Sequence, residues 1–552
     1  MTLIAKAKDP AFWEKVRTSD AYRPLREELL ALYDETSGDI PATKFSEFII
    51  YSRTGSRSEY EHSYFYRRRA MNAAAILSLI YPEEEKYLTR LCDVMWAILD
   101  EYVWVLPAHM PSFTENVVEH IDLFAAETGF ALSEIDYLLA DRLPPLIRSR
   151  VKAEVDRRIL RAYLNNHYGW ERASHNWAAV CVGSVAAAFL YQRPDLAPEI
   201  LPRVEETLRS YLSGLPEDGT CLEGYGYWCY GFGFFTVIAD LLCDFTDGEI
   251  NYFADPHVKT VASFTQSVFL EGATTVSFSD AGGSGSYPIG LLHYLHDKYP
   301  DTVAVPAGAR RHSYDGCGRW CGHLRSFLWF DEALTDAEIA PERTEYRPDA
   351  QWLIKTTPRY AFAAKGGHNA EPHNHNDIGS FIVARGGQIL RDPGGGSYSR
   401  AYFSSRRYEF FRPSSRGHSV PIVDGTYQSA GREHSADAAY ENGVLTLEMH
   451  RAYDVPALSR LTRAFSFTDD TVTLTDTYVY DGTPSSLVER IVCAAEPQST
   501  PDGFRVGPLT LTADDSVAAA EIRQEDNSFL IDYTLKPDAR VFTLTIRAED
   551  KK

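Results

Sequence analysis

The first half of the chain has the residue spacing of amphipathic helices. One helix is predicted by apolar residues at intervals of three and four, namely Leu88, Leu91, Met95, Ile98 and Leu99. Such intervals place the apolar side chains on one helix face. Similar segments predict helices near 63–80, 143–164, 176–191, 199–213, 231–246 and 256–270. Helices joined by short loops indicate hairpins that close into a ring or stack as a solenoid, and the lack of a fixed-period repeat argues against a regular solenoid.

From about residue 345 the pattern changes to that of short β-strands. In 464–468 the residues alternate, with Phe465 and Phe467 on one face. The turn Asp469-Asp470 follows, and the alternation resumes with Val472 and Leu474, which predicts a hairpin. Further strands are predicted at 380–384, 419–423, 445–449 and 541–546.

The order of these elements predicts the fold class. Long runs of helices followed by long runs of strands favour an α+β multidomain protein over an interleaved α/β fold. We therefore expect a helical domain and then a β-sandwich, with the boundary within 330–350. The length of 552 residues also exceeds what one ordinary core holds.

Charge narrows the choice of partners. A formal net charge of −22 disfavours nucleic acid and anionic membranes as partners of the whole surface. A polyanionic substrate would instead need a local basic cleft. Two arginine groups are candidates for it: Arg53, Arg57, Arg67, Arg68 and Arg69, and Arg406, Arg407, Arg412 and Arg416. Arginine runs are more often solvated faces, so each group is also consistent with no site.

The lack of a signal-length apolar run and the scattered cysteines favour a cytoplasmic protein. Residues 1–13 contain no apolar run of signal length, and we expect no stretch as long as a membrane span. The eight cysteines are scattered rather than arranged as a disulfide framework. A cytoplasmic location is therefore expected, unless a leader has been trimmed.

The densest group of chemically active residues is Glu371-Pro372-His373-Asn374-His375-Asn376-Asp377. If this segment is extended, His373 and His375 point to the same side and face one cavity. Asp392 follows near a predicted strand end, and His418 precedes the predicted strand 419–423. Histidine and carboxylate ligands from neighbouring strands suit Zn²⁺, and three of them leave a fourth position open. The alternative is a set of hydrogen-bonded turn residues.

Two further groups lie in the helical half. Ser174 is a candidate cap of the helix that starts there, which places His175 and Asn176 on its first turn. The segment 217–231 is rich in glycine and aromatic residues and runs from a loop into a helix. Its tyrosines either pack in the core or present a phenol to a substrate.

Together these groups resemble the heparinase II/III-like polysaccharide lyases. The string HNHNDIGSF, which starts at His373, is similar to that family's HxHxDxGSF signature. The later Asp392-Pro393-Gly394 and His418-Ser419-Val420, together with Asn176-Trp177 and the segment 223–227, resemble its other motifs. The resemblance implies an incomplete (α/α) toroid in residues 1–335, an antiparallel β-sandwich in 336–552, and a cleft between them.

The resemblance implies a lyase that breaks uronic-acid polysaccharides by β-elimination. Such an enzyme neutralises the uronate carboxylate, removes the C5 proton and protonates the departing O4. Asn176 or His175 would neutralise the carboxylate. Tyr227, or Tyr230 as the alternative, would move one or both protons, and its phenol would need a pKa lowered by positive charge to act as base. His373 would be the partner, acting as base for the other uronate epimer or as a carboxylate contact.

The remaining roles are also implied by the resemblance. His375, Asp392 and His418 match the metal positions, with a mainly structural Zn²⁺ that positions His373. Trp177 and Glu223 are candidate substrate-binding residues from the same motifs, whereas Arg57, Arg68, Arg407 and Arg416 are candidates because of their charge. The expected partner is an acidic polysaccharide or oligosaccharide, such as heparan sulfate, chondroitin, hyaluronan or alginate. A homodimer is an open alternative to a monomer.

Two other functions remain open from the residues. A glycoside hydrolase would need two carboxylates across the cleft, and Glu171, Glu217, Asp218 and Glu223 are candidates. A non-catalytic protein that binds acidic sugars would keep arginine and tryptophan but would need neither His373, Tyr227 nor a metal triad. The resemblance is one of family and fold, so it supports the lyase without establishing the activity.

Overall fold

A computed structural model describes residues 3–110, 113, 117–306, 309–334 and 342–549. The expected domain boundary between residues 335 and 336 lies outside the described residues. On either side of it, the last described helix ends at Leu328 and the next strand begins at Arg343.

The first half is mainly helical. Its α-helices are α1 (Ala5–Lys8), α2 (Pro10–Thr18), α3 (Arg23–Glu35), α4 (Phe45–Phe48), α5 (Ile50–Thr54), α6 (Ser58–Ile80), α7 (Glu85–Leu99), α8 (Leu123–Leu138), α9 (Pro145–Val155), α10 (Arg161–Asn165), α11 (Asn176–Gln192), α12 (Ala197–Leu212), α13 (Tyr225–Tyr227), α14 (Gly233–Phe245), α15 (Pro256–Ala262), α16 (Phe264–Val268), α17 (Ile289–Lys298) and α18 (Trp320–Leu328).

These helices close into a ring. Helix α11 is buried along almost its whole length and packs against α8, α12 and α14. A helix that is apolar on all sides belongs in a core. Helix α18, near the end of the helical half, packs back onto α6 and α8. This return contact closes the ring. It decides between the ring and the solenoid, which the spacing of apolar residues had left as alternatives.

Most predicted helices are confirmed, with two changes. The segment 143–164 contains α9, a π-helical turn at Asp156–Leu160 and α10. The segment predicted at 256–270 ends in a short strand instead of continuing as a helix.

The expectation that no stretch reaches the length of a membrane span is wrong. Tyr225–Phe245 qualifies by length and composition, but 61% of its most apolar window is buried, as in a core helix.

Strands dominate the second half. The strands of the chain are β1 (Phe269–Glu271), β2 (Thr274–Thr275), β3 (Ser286–Pro288), β4 (Arg310–His312), β5 (Arg343–Arg347), β6 (Trp352–Thr356), β7 (Ala361–Lys365), β8 (His368–Asn369), β9 (Phe381–Ala384), β10 (Gln388–Leu390), β11 (Ile422–Val423), β12 (Gly431–Ser435), β13 (Asp437–Glu441), β14 (Val444–Glu448), β15 (Leu458–Phe467), β16 (Thr471–Tyr480), β17 (Leu487–Cys493), β18 (Gln498–Thr500), β19 (Gly503–Val506), β20 (Leu509–Ala513), β21 (Val517–Glu525), β22 (Ser528–Leu535) and β23 (Val541–Ala548).

Two antiparallel sheets form the sandwich. Among the described residues, one sheet has the order β21-β22-β17-β10-β9-β7-β6-β5, with β11 also paired to β17. The other sheet has the order β13-β14-β15-β16-β23-β20-β19-β18. The predicted hairpin is confirmed in β15 and β16, where Phe467 pairs with Val472. The strand expected at 419–423 is shorter, because only β11 pairs there.

The first sheet is covered on both faces, and this joins the two halves. Leu353 and Phe362 pack in the core between the sheets. Their neighbours Trp352 and Ile354 on β6 pack in the core of the helical half. Residues i and i+1 of a strand point to opposite faces, so a sheet buried on both sides needs a continuous apolar run. Strands β7 and β9 have such runs and are buried throughout.

Candidate active site

A cavity of about 710 Å³ is bounded by residues from both halves of the chain. The helical half contributes residues from α5, from the start of α11 and from the turn at α13. The sandwich contributes the loop between β8 and β9 and the long loop between β10 and β11. Predicted site residues that line the cavity are Arg57, Asn176, Trp177, Tyr227, Tyr230, His373 and Arg407.

Asn176 lies at the first position of α11, where its amide reaches the cavity wall. Its Nδ2 donates to Glu223 Oε2 at 2.7 Å, and its backbone N–H points to Glu223 Oε1 at 3.5 Å. The prediction that Ser174 caps this helix is wrong. His175 occupies the N-cap position and makes no side-chain cap hydrogen bond. Glu223 supplies the acceptor that a helix N-terminus needs.

His175 faces a small recess beside the main cavity. This recess is also lined by Asn176, Glu223 and Tyr227. Burial lowers the pKa of His175, and the nearby Glu223 carboxylate opposes that shift. Of the two adjacent candidates, Asn176 lines the main cavity and His175 does not.

Tyr227 is the phenol that meets His373. The two rings stack with 4.2 Å between their centroids. The Tyr227 hydroxyl is 2.7 Å from the hydroxyl of Tyr398. Burial raises the pKa of Tyr227 well above its usual value, and Asp280 and Glu223 add to the shift. The requirement for a lowered phenol pKa is therefore not met, and this group keeps its proton near neutral pH.

Tyr230 lies in the same cavity but is engaged elsewhere. Its hydroxyl donates to Glu127, whose pKa burial raises to about 7. The guanidinium of Arg319 lies 3.9 Å from the centre of the Tyr230 ring. Tyr230 thus forms part of a buried network, whereas Tyr227 contacts the histidine loop.

The two histidines of the HNHND segment do not face one cavity, and that prediction is wrong. His373 has a φ of +56°, so the segment is not extended at this residue. The His373 side chain is 19% exposed and lines the cavity, whereas the His375 side chain is fully buried. Both histidines instead reach the same carboxylate. His373 Nδ1 donates to Asp280 Oδ2 at 2.8 Å, and His375 Nε2 donates to Asp280 Oδ1 at 3.1 Å.

The buried Lys365 fixes both ends of the loop that carries the two histidines. Lys365 Nζ lies 3.2 Å from a carboxylate oxygen of Glu371 and 2.9 Å from one of Asp377. All three groups are almost fully buried. Because one charge without its partners is costly in such a place, the lysine and both carboxylates hold the loop in a single arrangement.

Asp280 was missed by the sequence analysis and lies at the centre of the site. It accepts hydrogen bonds from Tyr398, Tyr402 and Arg407 in addition to the two histidines. Burial acts to raise the pKa of Asp280, but the hydrogen bonds from both histidines and the Arg407 charge hold it far below its usual range. The one signal in sequence is an aspartate in a glycine-rich turn, SDAGGSG at 279–285.

His375, Asp392 and His418 form a buried cluster whose ligand atoms lie within 4.8 Å of one another. His375 Nδ1 is buried and makes no hydrogen bond within the described part of the chain. His418 Nε2 lies 2.7 Å from the carbonyl oxygen of Arg412, and His418 Nδ1 lies 3.0 Å from Asp392 Oδ2. Each histidine thus uses one nitrogen on an outer acceptor and turns the other inward. This donor set fits a metal ion.

The predicted arginines divide into two pairs. Arg57 and Arg407 line the cavity. Arg68 does not, because it is buried in an ion pair with Glu101 inside the helical half. Arg416 does not either, since its guanidinium donates to the carbonyl of Glu409 at 3.0 Å, outside the cavity lining. A position for Arg68 or Arg416 at the substrate is therefore not supported. The cavity instead contains Arg319, which the sequence analysis did not name.

Comparisons with known proteins identify the fold. No family model and no curated protein sequence matches this chain. Solved structures match over nearly its full length. Heparinase III matches at 11% identity and a TM-score of 0.59, covering 98% of this chain and 94% of that one. The heparan sulfate lyase HepC from Pedobacter heparinus matches at 14% identity and a TM-score of 0.58, covering 99% and 87%.

A chondroitin AC lyase from Streptomyces coelicolor A3 also matches, at 11% identity and a TM-score of 0.51, covering 100% of this chain and 83% of that one. The chain has the fold of these lyases. The predicted toroid followed by an antiparallel β-sandwich is thereby confirmed. At identities this low the likeness is one of fold, and the activity has to be argued from the site.

Proposed function

We propose that this chain is a polysaccharide lyase that cleaves uronic-acid-containing polysaccharides or oligosaccharides by β-elimination. One observation carries the proposal: the Tyr227 phenol, the His373 imidazole and the Asn176 amide line a single cavity between the toroid and the sandwich. A proton donor, a proton acceptor and a neutral carboxylate ligand are the groups that elimination needs. The shared fold with heparinase III and chondroitin AC lyase supports the same class of enzyme.

In this mechanism the Asn176 amide binds the uronate carboxylate. One of its two N–H groups is donated to Glu223, and this fixes the direction of the other. A hydrogen bond to the carboxylate stabilises the charge that develops as the C5 proton leaves. Arg57 and Arg407 add positive charge to the same cavity. Although the chain has a net negative charge, this cavity can therefore still attract an anionic sugar.

The proton roles follow from the hydrogen bonds of each group. His373 Nδ1 donates to Asp280, so in the neutral ring Nε2, which lies 3.5 Å from Glu223 Oε2, carries the lone pair and is the atom that takes the C5 proton. Tyr227 keeps its phenolic proton because burial raises its pKa, and this proton goes to the departing O4. The base is thus histidine and the acid is tyrosine.

The ring stack also indicates which uronates are substrates. With 4.2 Å between the Tyr227 and His373 ring centroids, no sugar fits between them. Both groups then act on one face of the sugar ring, which requires the C5 hydrogen and O4 to lie on that same face. Glucuronate and mannuronate meet this requirement, whereas their C5 epimers iduronate and guluronate do not. We therefore propose glucuronate- or mannuronate-containing substrates.

Zn²⁺ is the ion we propose for the buried cluster. His375, Asp392 and His418 would hold it, and nitrogen and carboxylate ligands are those that Zn²⁺ prefers. When bound, the ion would tie the loops of the sandwich together. His375 is fully buried and His373 alone faces the cavity, so the ion would act through positioning and not on the substrate.

Three of the four carboxylates considered for a glycoside hydrolase are engaged by other groups of the chain. Glu171 pairs with Arg203, and Asp218 accepts backbone N–H groups of Asp349 and Ala350, so both are engaged away from the cavity. Glu223 is engaged as well, because it accepts from the Asn176 amide and lies 3.5 Å from His373 Nε2. No observation favours this second function.

The test is a panel of oligosaccharides with a single uronate type each. A lyase produces a C4–C5 double bond that absorbs in the ultraviolet, whereas a hydrolase produces new reducing ends without absorbance. We expect absorbance with glucuronate- or mannuronate-containing oligomers and at least tenfold less with iduronate or guluronate. Cleavage without absorbance would rule out the lyase. Equal rates on both epimers would rule out the one-face mechanism while leaving the lyase in place.

A further inference from the structure

One carboxylate connects the cavity with the buried cluster. Asp280 Oδ2 accepts from His373, which lines the cavity, and Asp280 Oδ1 accepts from His375, which belongs to the cluster. The Asp280 side chain is fully buried. It belongs to the turn after Phe278 in the helical half, although both histidines belong to the sandwich. The carboxylate therefore joins the two halves at the site itself.

The two hydrogen bonds set opposite tautomers in the two rings. A carboxylate only accepts hydrogen bonds, so each histidine must present an N–H to Asp280. His373 presents Nδ1–H to Asp280, and in the neutral ring it keeps a lone pair on Nε2, which lies 3.5 Å from Glu223 Oε2. His375 presents Nε2–H and keeps a lone pair on Nδ1, which is buried and makes no hydrogen bond within the described residues. A neutral histidine that carries a proton on one nitrogen acts as base or ligand through the other.

Three further donors hold the carboxylate in place. Tyr402 donates to Oδ1 at 2.6 Å, Tyr398 donates to Oδ2 at 3.2 Å, and Arg407 Nη2 lies 3.1 Å from both oxygens. With five donors around one buried carboxylate, rotation of the group would break several hydrogen bonds at once. Tyr398 also contacts the hydroxyl of Tyr227, so the same carboxylate lies behind both members of the stacked pair.

We propose that Asp280 is a positioning residue that selects the His373 tautomer for the cavity and the His375 tautomer for the buried metal site. The assignment of the two tautomers depends only on the two rings and their hydrogen-bond partners. The expected effect on the reaction rate rests on the proposed lyase function. Asp280 touches neither the substrate nor the ion; its effect is on the two histidines that would.

The first experiment reads the tautomers directly. The full chain is labelled with ¹⁵N-histidine, and long-range ¹H–¹⁵N spectra separate protonated from unprotonated ring nitrogens. Signals are assigned by their loss in His373→Gln and His375→Gln. We expect His373 with its proton on Nδ1 and His375 with its proton on Nε2. The opposite tautomer at either wild-type residue would overturn the proposal, and this outcome does not depend on any variant of Asp280 folding.

The second experiment changes the carboxylate. Asp280→Asn can accept through one oxygen only, and its NH₂ group repels one of the two N–H donors. The matched control is Asp532→Asn, a buried carboxylate that pairs with Arg490 and Arg523 on the sandwich. We expect a tautomer change at His373 or His375 in Asp280→Asn alone. We also expect Zn²⁺ affinity, measured by competition with a chelator, to fall about 10–100-fold.

Kinetics separate positioning from general damage. Asp280→Asn should lower kcat about 10–100-fold with little change in KM, since an ill-placed base affects the chemical step more than binding. Asp532→Asn should leave both close to wild type. Unchanged tautomers and Zn²⁺ affinity in Asp280→Asn would overturn the proposal. Failure of the wild-type protein to cleave any uronate would remove the lyase function, whereas the spectra and the Zn²⁺ competition would still decide the role of Asp280.

Discussion

His373 and His375 are two residues apart in sequence and lie in two different chemical environments. His373 belongs to the cavity region, where its ring stacks on Tyr227 and remains partly exposed. His375 belongs to the cluster with Asp392 and His418, where all three side chains are buried. The cavity region is open to a ligand, whereas the cluster is closed off from the cavity.

The difference comes from the backbone and from one carboxylate. A positive φ at His373 breaks the extended pattern, so the two side chains diverge. Asp280 accepts from Nδ1 of His373 and from Nε2 of His375, so a different nitrogen of each ring points away from it. Two identical residue types thus obtain different tasks from their positions around one acceptor. Variants in the two regions should accordingly fail in different ways.

The largest effect is expected in the cavity region. Tyr227→Phe removes the proton donor and should lower kcat about 10²–10⁴-fold, which is the usual contribution of a general acid. The Tyr227 hydroxyl bonds only to Tyr398 among the described residues, so the unfolding free energy should fall by about 0.5–1.5 kcal/mol, the usual contribution of one hydrogen bond. Ultraviolet absorbance and thermal melting measure the two quantities. Full activity in this variant would exclude the phenol from the mechanism.

The cluster should respond in the opposite way. His418→Ala leaves the Asp392 carboxylate buried without its partner, which typically costs about 3–5 kcal/mol. The melting temperature should therefore fall clearly, while any folded fraction keeps Tyr227 and His373 in contact. A variant with wild-type stability would contradict the structural role assigned to the cluster.

Zn²⁺ binding gives a further test of the difference between the cavity region and the cluster. An ion that binds only the folded state stabilises it by about 2.7 kcal/mol at a free concentration one hundred times its Kd. We expect Zn²⁺ to raise the melting temperature of chelator-treated wild type and of Tyr227→Phe equally. His418→Ala should show no such rise. A rise of equal size in His418→Ala would place the ion elsewhere.

The smallest effect is expected for a comparison of two arginines that were both candidates for substrate binding because of their charge. Arg407→Ala removes a charged hydrogen bond to Asp280, worth roughly 1.5–3 kcal/mol, and kcat/KM should fall about tenfold or more. Arg416→Ala should leave kcat/KM within about twofold, because its guanidinium lies outside the cavity. Equal losses in both variants would contradict this placement of the cavity.

Several elements were predictable because their causes are local. The spacing of Leu88, Leu91 and Met95 predicted a helix, and α7 is present. The turn at Asp469-Asp470 predicted the hairpin of β15 and β16. The cap at Ser174 was wrong because the acceptor at the start of α11 is Glu223, from a segment distant in sequence. Local pattern carries no information about such a partner.

The candidate site shows the same division. Residue type and order were enough to choose the HNHND string, Asp392 and His418, and His375 of that string meets the other two residues in one buried cluster. Arg68 and Arg416 were chosen on charge alone, although burial with Glu101 and exposure near Glu409 decide where they lie. Asp280 was missed because a single aspartate in a glycine-rich turn has no distinctive spacing.

The sequence by itself determined which segments are helical or extended and which residue types are present to move protons or bind a metal. These properties depend on neighbours within a few positions along the chain. Only the tertiary structure decided that the helices close into a ring, that Tyr227 rather than Tyr230 meets His373, and that Asp280 joins the two histidines. Those contacts join residues far apart along the chain, and only the packing of the folded chain brings them together.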